Sequence, residues 1–306
     1  MRTCYKKIYG EKRMETKKIH IAVLADIHSN FEAFRTCIKE AEKRNICDYI
    51  FLGDYLGDLA CPQKTLGLMA ELKNKYRCVF IRGNKEEYWI NHRKNKEEKW
   101  ESGKSGSGML CYNYENLKDK DIDFFEKLPI SQQINMEGCP EFTVCHGSPF
   151  KVNQSMRYDF DYIDDLTKRL PSDLTVCGHF HIAADYIKNG KRVINPGSVG
   201  VALHTGGGKA QFMILHGDRE SWEPEFLSLD YNVEKAIEDM DKEKLYLKAP
   251  CWYKITKNVL KEGGKDSYVT VLTKAHELYF KETGNDVWMN IPEEYWEKSL
   301  WEIMGI

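Results

Sequence analysis

The chain has 306 residues, 42% of them apolar and 30% charged, with a formal net charge of −2 at pH 7. This allows one large α/β domain or a domain plus an appendage, and it excludes a global electrostatic pull toward nucleic acid or an anionic membrane. No apolar run approaches the roughly 18–20 residues that a membrane-spanning helix needs, so no membrane partner is expected.

Residues 1–17 are basic and lack the apolar segment of a secretion signal, and they are read as a loose tail. The ten cysteines include no CxxC pair. In a long chain this suggests reduced thiols and a cytoplasmic location. The next segments repeat one phrase: a short apolar, β-rich run, then polar residues and glycine. It recurs as IHIAVLADIH, CDYIFLGD and CVFIRGN, and later as FTVCHGS, LTVCGHFH and RVINPGS. Runs that are apolar on both faces suit strands of a sheet covered on both sides. Between them, Phe31, Phe34, Ile38 and Ala41 mark one face of a helix, with Ser29 and Glu32 as its capping box. Pro62 opens a second helix with Leu66, Met69 and Leu72 inward.

Asp26 to Asp54 is 28 residues and Asp54 to Asn84 is 30, the length of a βαβ unit of about 30 residues. Asn84 to His146 is about twice that, so residues 85–128 are read as a helical insert. The insert begins charged and aromatic and continues through SGKSGSG, read as a flexible stretch. Its GKS is not a phosphate-binding loop, because Glu98 stands where the first glycine would have to be. QFMILHGD and WEPEFLSLD read as two antiparallel strands. Residues 231–306 read as a helical appendage, and its aromatics, Trp252 and Trp296 among them, need a surface on the rest of the chain or on a second copy. A homo-oligomer through this appendage is the expected assembly.

In open α/β sheets, ligands bind beyond the carboxyl ends of the strands. The residues placed there are Asp26, His28, Asp54, Asn84, His146, His179 and His181. Each alone is weak, since a lone strand-end histidine is more often a hydrogen-bonded structural residue. Five strand ends in order that each carry a metal-compatible group are a different matter. Two carboxylates, four imidazoles and one amide are too many for one tetrahedral ion and suit two divalent cations.

The series D-x-H, G-D, G-N, H-G and G-H-x-H resembles the calcineurin-like metallophosphoesterases over residues 18–230. NPGSVG followed by KAQFMIL resembles their small bacterial phosphodiesterase branch. The resemblance implies a four-layer α/β/β/α sandwich. It also implies that Asp26, His28 and His181 hold one metal, that Asn84, His146 and His179 hold the other, and that Asp54 bridges them. Manganese is the expected metal, with iron, zinc, cobalt or nickel as alternatives. The implied reaction is hydrolysis of a phosphodiester or phosphomonoester by a hydroxide shared between the metals, with Asp54, Asn84 and His179 as catalytic residues. The expected partner is a small phosphorylated or nucleotide-like substrate, not a stably bound nucleic acid. Many relatives follow Gly-Asn with a histidine that protonates the leaving group; here Lys85 follows, read as an exposed residue of the insert helix. Arg82, Tyr55 and His204 are candidate substrate contacts. Two other readings are a protein phosphatase or diadenosine-tetraphosphatase-like enzyme, and a non-catalytic scaffold that binds proteins through this fold.

Overall fold

The β-rich runs become strands buried on both faces. In the computed structural model, which describes residues 18–95, 100–264 and 268–306, β1 (Ile19–Leu24) sends alternate side chains into two different cores. Ala22 and Leu24 face helices, whereas Ile21 and Val23 face a second sheet. The same division holds for β2 (Asp48–Phe51), where Tyr49 and Phe51 meet the helices and Ile50 meets the other sheet. No polar face is left to alternate with an apolar one, which explains the continuous apolar runs. The basic tail 1–17 and Glu98 lie outside the described residues.

The first sheet pairs β1 and β2 in parallel with β3 (Arg77–Phe80), through the crossover helices α1 (Phe31–Lys43) and α2 (Pro62–Lys75). The insert contributes α3 (Asn84–Lys94), α4 (Gly108–Glu115) and α5 (Asp119–Glu126). The second sheet has order β4-β5-β6-β8-β7, built from β4 (Ser131–Ile134), β5 (Phe142–Cys145), β6 (Leu174–Val176), β7 (Ala183–Lys188) and β8 (Lys191–Pro196). Its outer face is covered by α6 (Ile163–Lys168), through Ile163 and Leu166, and by Met156. β9 (Lys209–Gly217) and β10 (Trp222–Asp230) complete the first sheet as an antiparallel pair, as expected. The layers are thus helix, sheet, sheet and helix.

Three local readings are corrected and two strands are added. α1 is capped by Asn30, whose side chain accepts from Ala33 N at 3.2 Å; Ser29 adopts φ +63° in the loop before it. The edge strands β4 and β7 escape the sequence pattern because they are the polar rims of their sheet, carrying SQQI and AADYIK. SGKSGSG is not a flexible link: Ser105 and Ser107 are buried, and Gly103 N donates to Lys248 O at 2.7 Å. Lys85 is not exposed; only 14% of its side chain is accessible.

The remaining helices are α7 (Val233–Lys242), α8 (Leu245–Lys248), α9 (Pro250–Glu262), α10 (Tyr268–Thr283) and α11 (Glu293–Met304). Trp252, Ile255, Val271, Trp296 and Leu300 from these helices share a core with Leu59, Ala60, Met109, Tyr112 and Val201. The C-terminal helices therefore dock on the rest of the same chain. Among the described residues the cysteines are free thiols, and no helix is long and apolar enough to cross a membrane.

Candidate metal centre

Five of the seven candidate donor residues sit in strained turns. Asp26, His28, Asp54, His179 and His181 all adopt φ between +50° and +76°. For residues with a Cβ this costs on the order of 1–2 kcal/mol each, and such turns persist only when the surroundings hold them. Here the strand ends brace one another: Asp26 N donates to Gly53 O, His28 N to Asp54 O, Gly178 N to His146 O and Gly200 N to Asp26 O, at 2.8–3.2 Å. The glycines of Gly-Asp and Gly-Asn are needed because these turns touch. A Cβ on Gly53 would lie 2.5 Å from Gly83 N, and one on Gly83 would lie 2.3 Å from Asp54 Oδ1.

Two groups of ligand atoms result: Asp26, His28 and His181, and Asp26, Asp54 and His146. His181 Nε2, His28 Nε2 and His146 Nε2 lie 3.3, 3.8 and 3.9 Å from Asp26 Oδ1. Asp54 divides its oxygens, with Oδ2 3.7 Å from His28 Nε2 and Oδ1 3.5 Å from His146 Nε2. Asn84 Oδ1 is 3.0 Å from His146 Nε2, and the ring of His179 packs edge-on against that of His146 with centroids 5.1 Å apart. All seven residues read from the sequence therefore converge.

The surroundings select the imidazole nitrogens. His146 Nδ1 donates to Leu52 O at 2.7 Å, which leaves the Nε2 lone pair facing the carboxylates. Burial, and then the neighbouring His146, lower the His179 pKa to about 4, so its ring is neutral, as a ligand must be. Burial opposes charge on His28 as well, but Asp58, Asp26 and Asp54 outweigh it and raise its pKa to about 10. Burial likewise opposes ionisation of Asp26, but His181, His28 and His146 outweigh it and hold its pKa well below the usual range. The site thus demands positive charge at its centre.

The donor set fits divalent cations. Asp26 Oδ1 is buried and has no hydrogen-bond partner, while Asp26 Oδ2 accepts from His179 N at 2.9 Å. An unsatisfied buried carboxylate oxygen costs about 1–3 kcal/mol or more. Donor separations of 3–4 Å are those of atoms that share an ion through bonds of about 2.0–2.2 Å.

Other candidates lie elsewhere. Tyr55 does not line a cleft: it is fully buried and its hydroxyl donates to Ile81 O at 2.5 Å. Arg82 does not face phosphate: it donates to Glu126 O and Leu128 O, both at 2.8 Å, and so ties the insert to the sheet. His204 is exposed and stands beside the cleft described below without lining it. Two supporting acids escape the sequence reading. Glu86 accepts from Gly83 N, Asp54 N and Tyr55 N at 2.8–3.0 Å and braces the Asp54 turn; burial and the nearby Asp54 raise its pKa to about 7. Asp58 lies 2.9 Å from His28 Nδ1. Their signals were position three of the helix that opens at Asn84 and the second acid of GDYLGD.

A cleft of about 740 Å³ opens from His179 and His181. Arg157, Phe160 and Tyr162 line one part of it, and Thr273 and Lys274 of α10 line another.

Two sheets packed face to face, with acids and imidazoles gathered at their strand ends, define the architecture of a metallophosphoesterase. The sequence profile of the calcineurin-like phosphoesterase superfamily domain matches residues 19–220, and the chain belongs to that family. It is 29% identical over 244 residues to an uncharacterised protein of Methanocaldococcus jannaschii, covering 74% of this chain and 94% of that protein. A hypothetical protein from Pyrococcus horikoshii shares the fold with TM-score 0.65 and 21% identity, over 81% of this chain and 99% of that one. A metallophosphoesterase from Sphaerobacter thermophilus shares it with TM-score 0.58 and 18% identity, over 76% and 98%.

Proposed function

We propose that this protein hydrolyses phosphate esters with two divalent cations. The observation that carries the reading is Asp26 Oδ1, buried without a hydrogen-bond partner within 4 Å of three imidazole nitrogens. Asp26, His28 and His181 would hold one ion and Asn84, His146 and His179 the other, with Asp54 between them. Manganese is the expected metal; iron, zinc, cobalt or nickel suit the same mixed nitrogen and oxygen donors. When bound, such a pair supplies a water of lowered pKa and neutralises charge on the phosphoryl oxygens.

The chain's own residues then select the substrate. The cleft is wide enough for a small organic phosphate, with Phe160, Tyr162 and Phe180 among its lining rings and with Arg157 and Lys274, which are paired with Asp159 and Glu302, at its wall. Lys85 does not replace the missing histidine acid. Its ammonium lies 3.4 Å from Asp58 Oδ1 and beneath the Trp252 ring, and Asp58 and Asp54 overcome the effect of burial and raise its pKa. Departure of the leaving group thus rests on the group's own acidity.

The test is metal analysis of the purified protein, followed by a metal-supplemented screen of phosphomonoesters, phosphodiesters and dinucleotides. Two metals per chain and turnover of at least one ester class are expected. A protein that binds no divalent metal, or binds it and hydrolyses none of these esters, would sink the reading.

A further inference from the structure

Asp58 joins three parts of the chain. Its Oδ2 lies 2.9 Å from His28 Nδ1, on the strand-end loop after β1. Its Oδ1 accepts from the indole Nε1 of Trp252, on α9, at 2.9 Å, and lies 3.4 Å from Lys85 Nζ, on the insert. Asp58 is 2% exposed and Trp252 9%. Gly57 lets the chain press against the imidazole, since a Cβ there would lie 2.5 Å from His28 Nδ1.

We infer that Trp252 is a positioning residue for the metal centre: through Asp58, the C-terminal helices set the cation affinity of the Asp26, His28 and His181 position. This inference rests on the two-cation reading above. A ligating imidazole presents one nitrogen to the metal, and the partner of its other nitrogen decides which nitrogen that is and how the ring is turned. In His28 the Nε2 faces Asp26, Asp54 and His181, and Nδ1, which makes no aligned hydrogen bond, meets the Asp58 carboxylate as an ion-pair contact at 2.9 Å that limits how the ring can turn. Asp58 can hold that ring only if its own carboxylate is held. The indole supplies a rigid, donor-only contact on the opposite oxygen. Trp252 is itself immobilised, stacked on Tyr268 with centroids 4.7 Å apart and edge-on to Trp296 at 5.9 Å. A helix beyond residues 19–220, the span of the family match, thereby reaches the metal centre through two side chains.

The experiment titrates metal-free, full-length protein with Mn²⁺ by equilibrium dialysis. It compares wild type, Trp252→Phe, Asp58→Asn and the double variant, with circular dichroism to confirm folding. Trp252→Phe keeps an apolar ring and deletes the N–H. One of the two Mn²⁺ sites should weaken about 10–100-fold, the range for loss of such a supporting partner, and the other should stay within about twofold. Asp58→Asn should weaken the same site. The double variant should be no weaker than Asp58→Asn alone, because both residues act through one contact. A merely structural tryptophan predicts instead equal losses at both sites, or additive ones. Wild-type affinity at both sites in Trp252→Phe, or additive losses in the double variant, overturns the proposal. If Trp252→Phe does not fold, Asp58→Asn carries the test, and unchanged affinity at both sites overturns it. A wild type that binds no Mn²⁺ is a separate result, because it defeats the metal reading itself.

Discussion

Asp54 presents one carboxylate oxygen to each donor group. Asp54→Asn is therefore expected to lower occupancy of both metals and to abolish hydrolysis, read by metal analysis and by turnover of an aryl phosphate. Two metals per chain with most of the activity kept would show that Asp54 bridges nothing. A second expectation follows from Lys85, whose ammonium is engaged by Asp58. A histidine acid contributes about 10²–10⁴-fold, so kcat/KM for aryl phosphates should exceed that for phosphoserine by a comparable factor. Equal rates on both would reveal another proton donor. The seven candidate donors were readable because each is a chemically distinctive residue at the end of an apolar run. Tyr55, Arg82 and Lys85 were not, because the direction of a side chain beside a strained turn depends on what packs around it. Tyr55 turns inward to Ile81 O and Arg82 outward to the end of α5.

At the scale of elements, α9, α10 and α11 act as a wall and not as a tail. Trp296 is fully buried where they meet, whereas Trp301 on the same helix is 68% exposed. Trp296→Ala should cost about 3–5 kcal/mol in urea unfolding, as large-to-small changes in a core do. Trp301→Ala should stay within about 0.5 kcal/mol. Similar effects from the two would mean that this helix does not pack as described. The helices themselves were readable from their periodicity. Their docking site was not, because the seat they occupy includes Ser105 and Gly108 of a stretch whose composition resembles a linker. Glycine and serine signal flexibility only while no neighbour fills the space they leave, and here Lys248 and Glu293 fill it.

At the scale of the molecule, a centre built from clustered carboxylates and left-handed turns should be stabler when loaded. Metal at 100 times its Kd adds about 2.7 kcal/mol, so chelation should lower the thermal midpoint by several degrees and Mn²⁺ should restore it. An unchanged midpoint would argue against a site that binds metal in the folded state. A chain ending at Asp230 should aggregate, because Leu59, Met109, Tyr112 and Val201 would lose the apolar surface that covers them. Light scattering would test this, and a monodisperse truncated chain would refute it. The order of most strands and helices, the two-faced burial of the central strands and the identity of the candidate donor residues follow from local patterns, since periodicity and residue type are properties of neighbours in the chain, whereas the polar edge strands β4 and β7 do not. Which donors face one another, the Asp58 link from His28 to Trp252, and the cleft walled by α10 depend on contacts across the chain. His28 and Trp252 stand 224 positions apart, and only packing of the C-terminal helices against the strand ends brings the indole to the carboxylate that holds the imidazole.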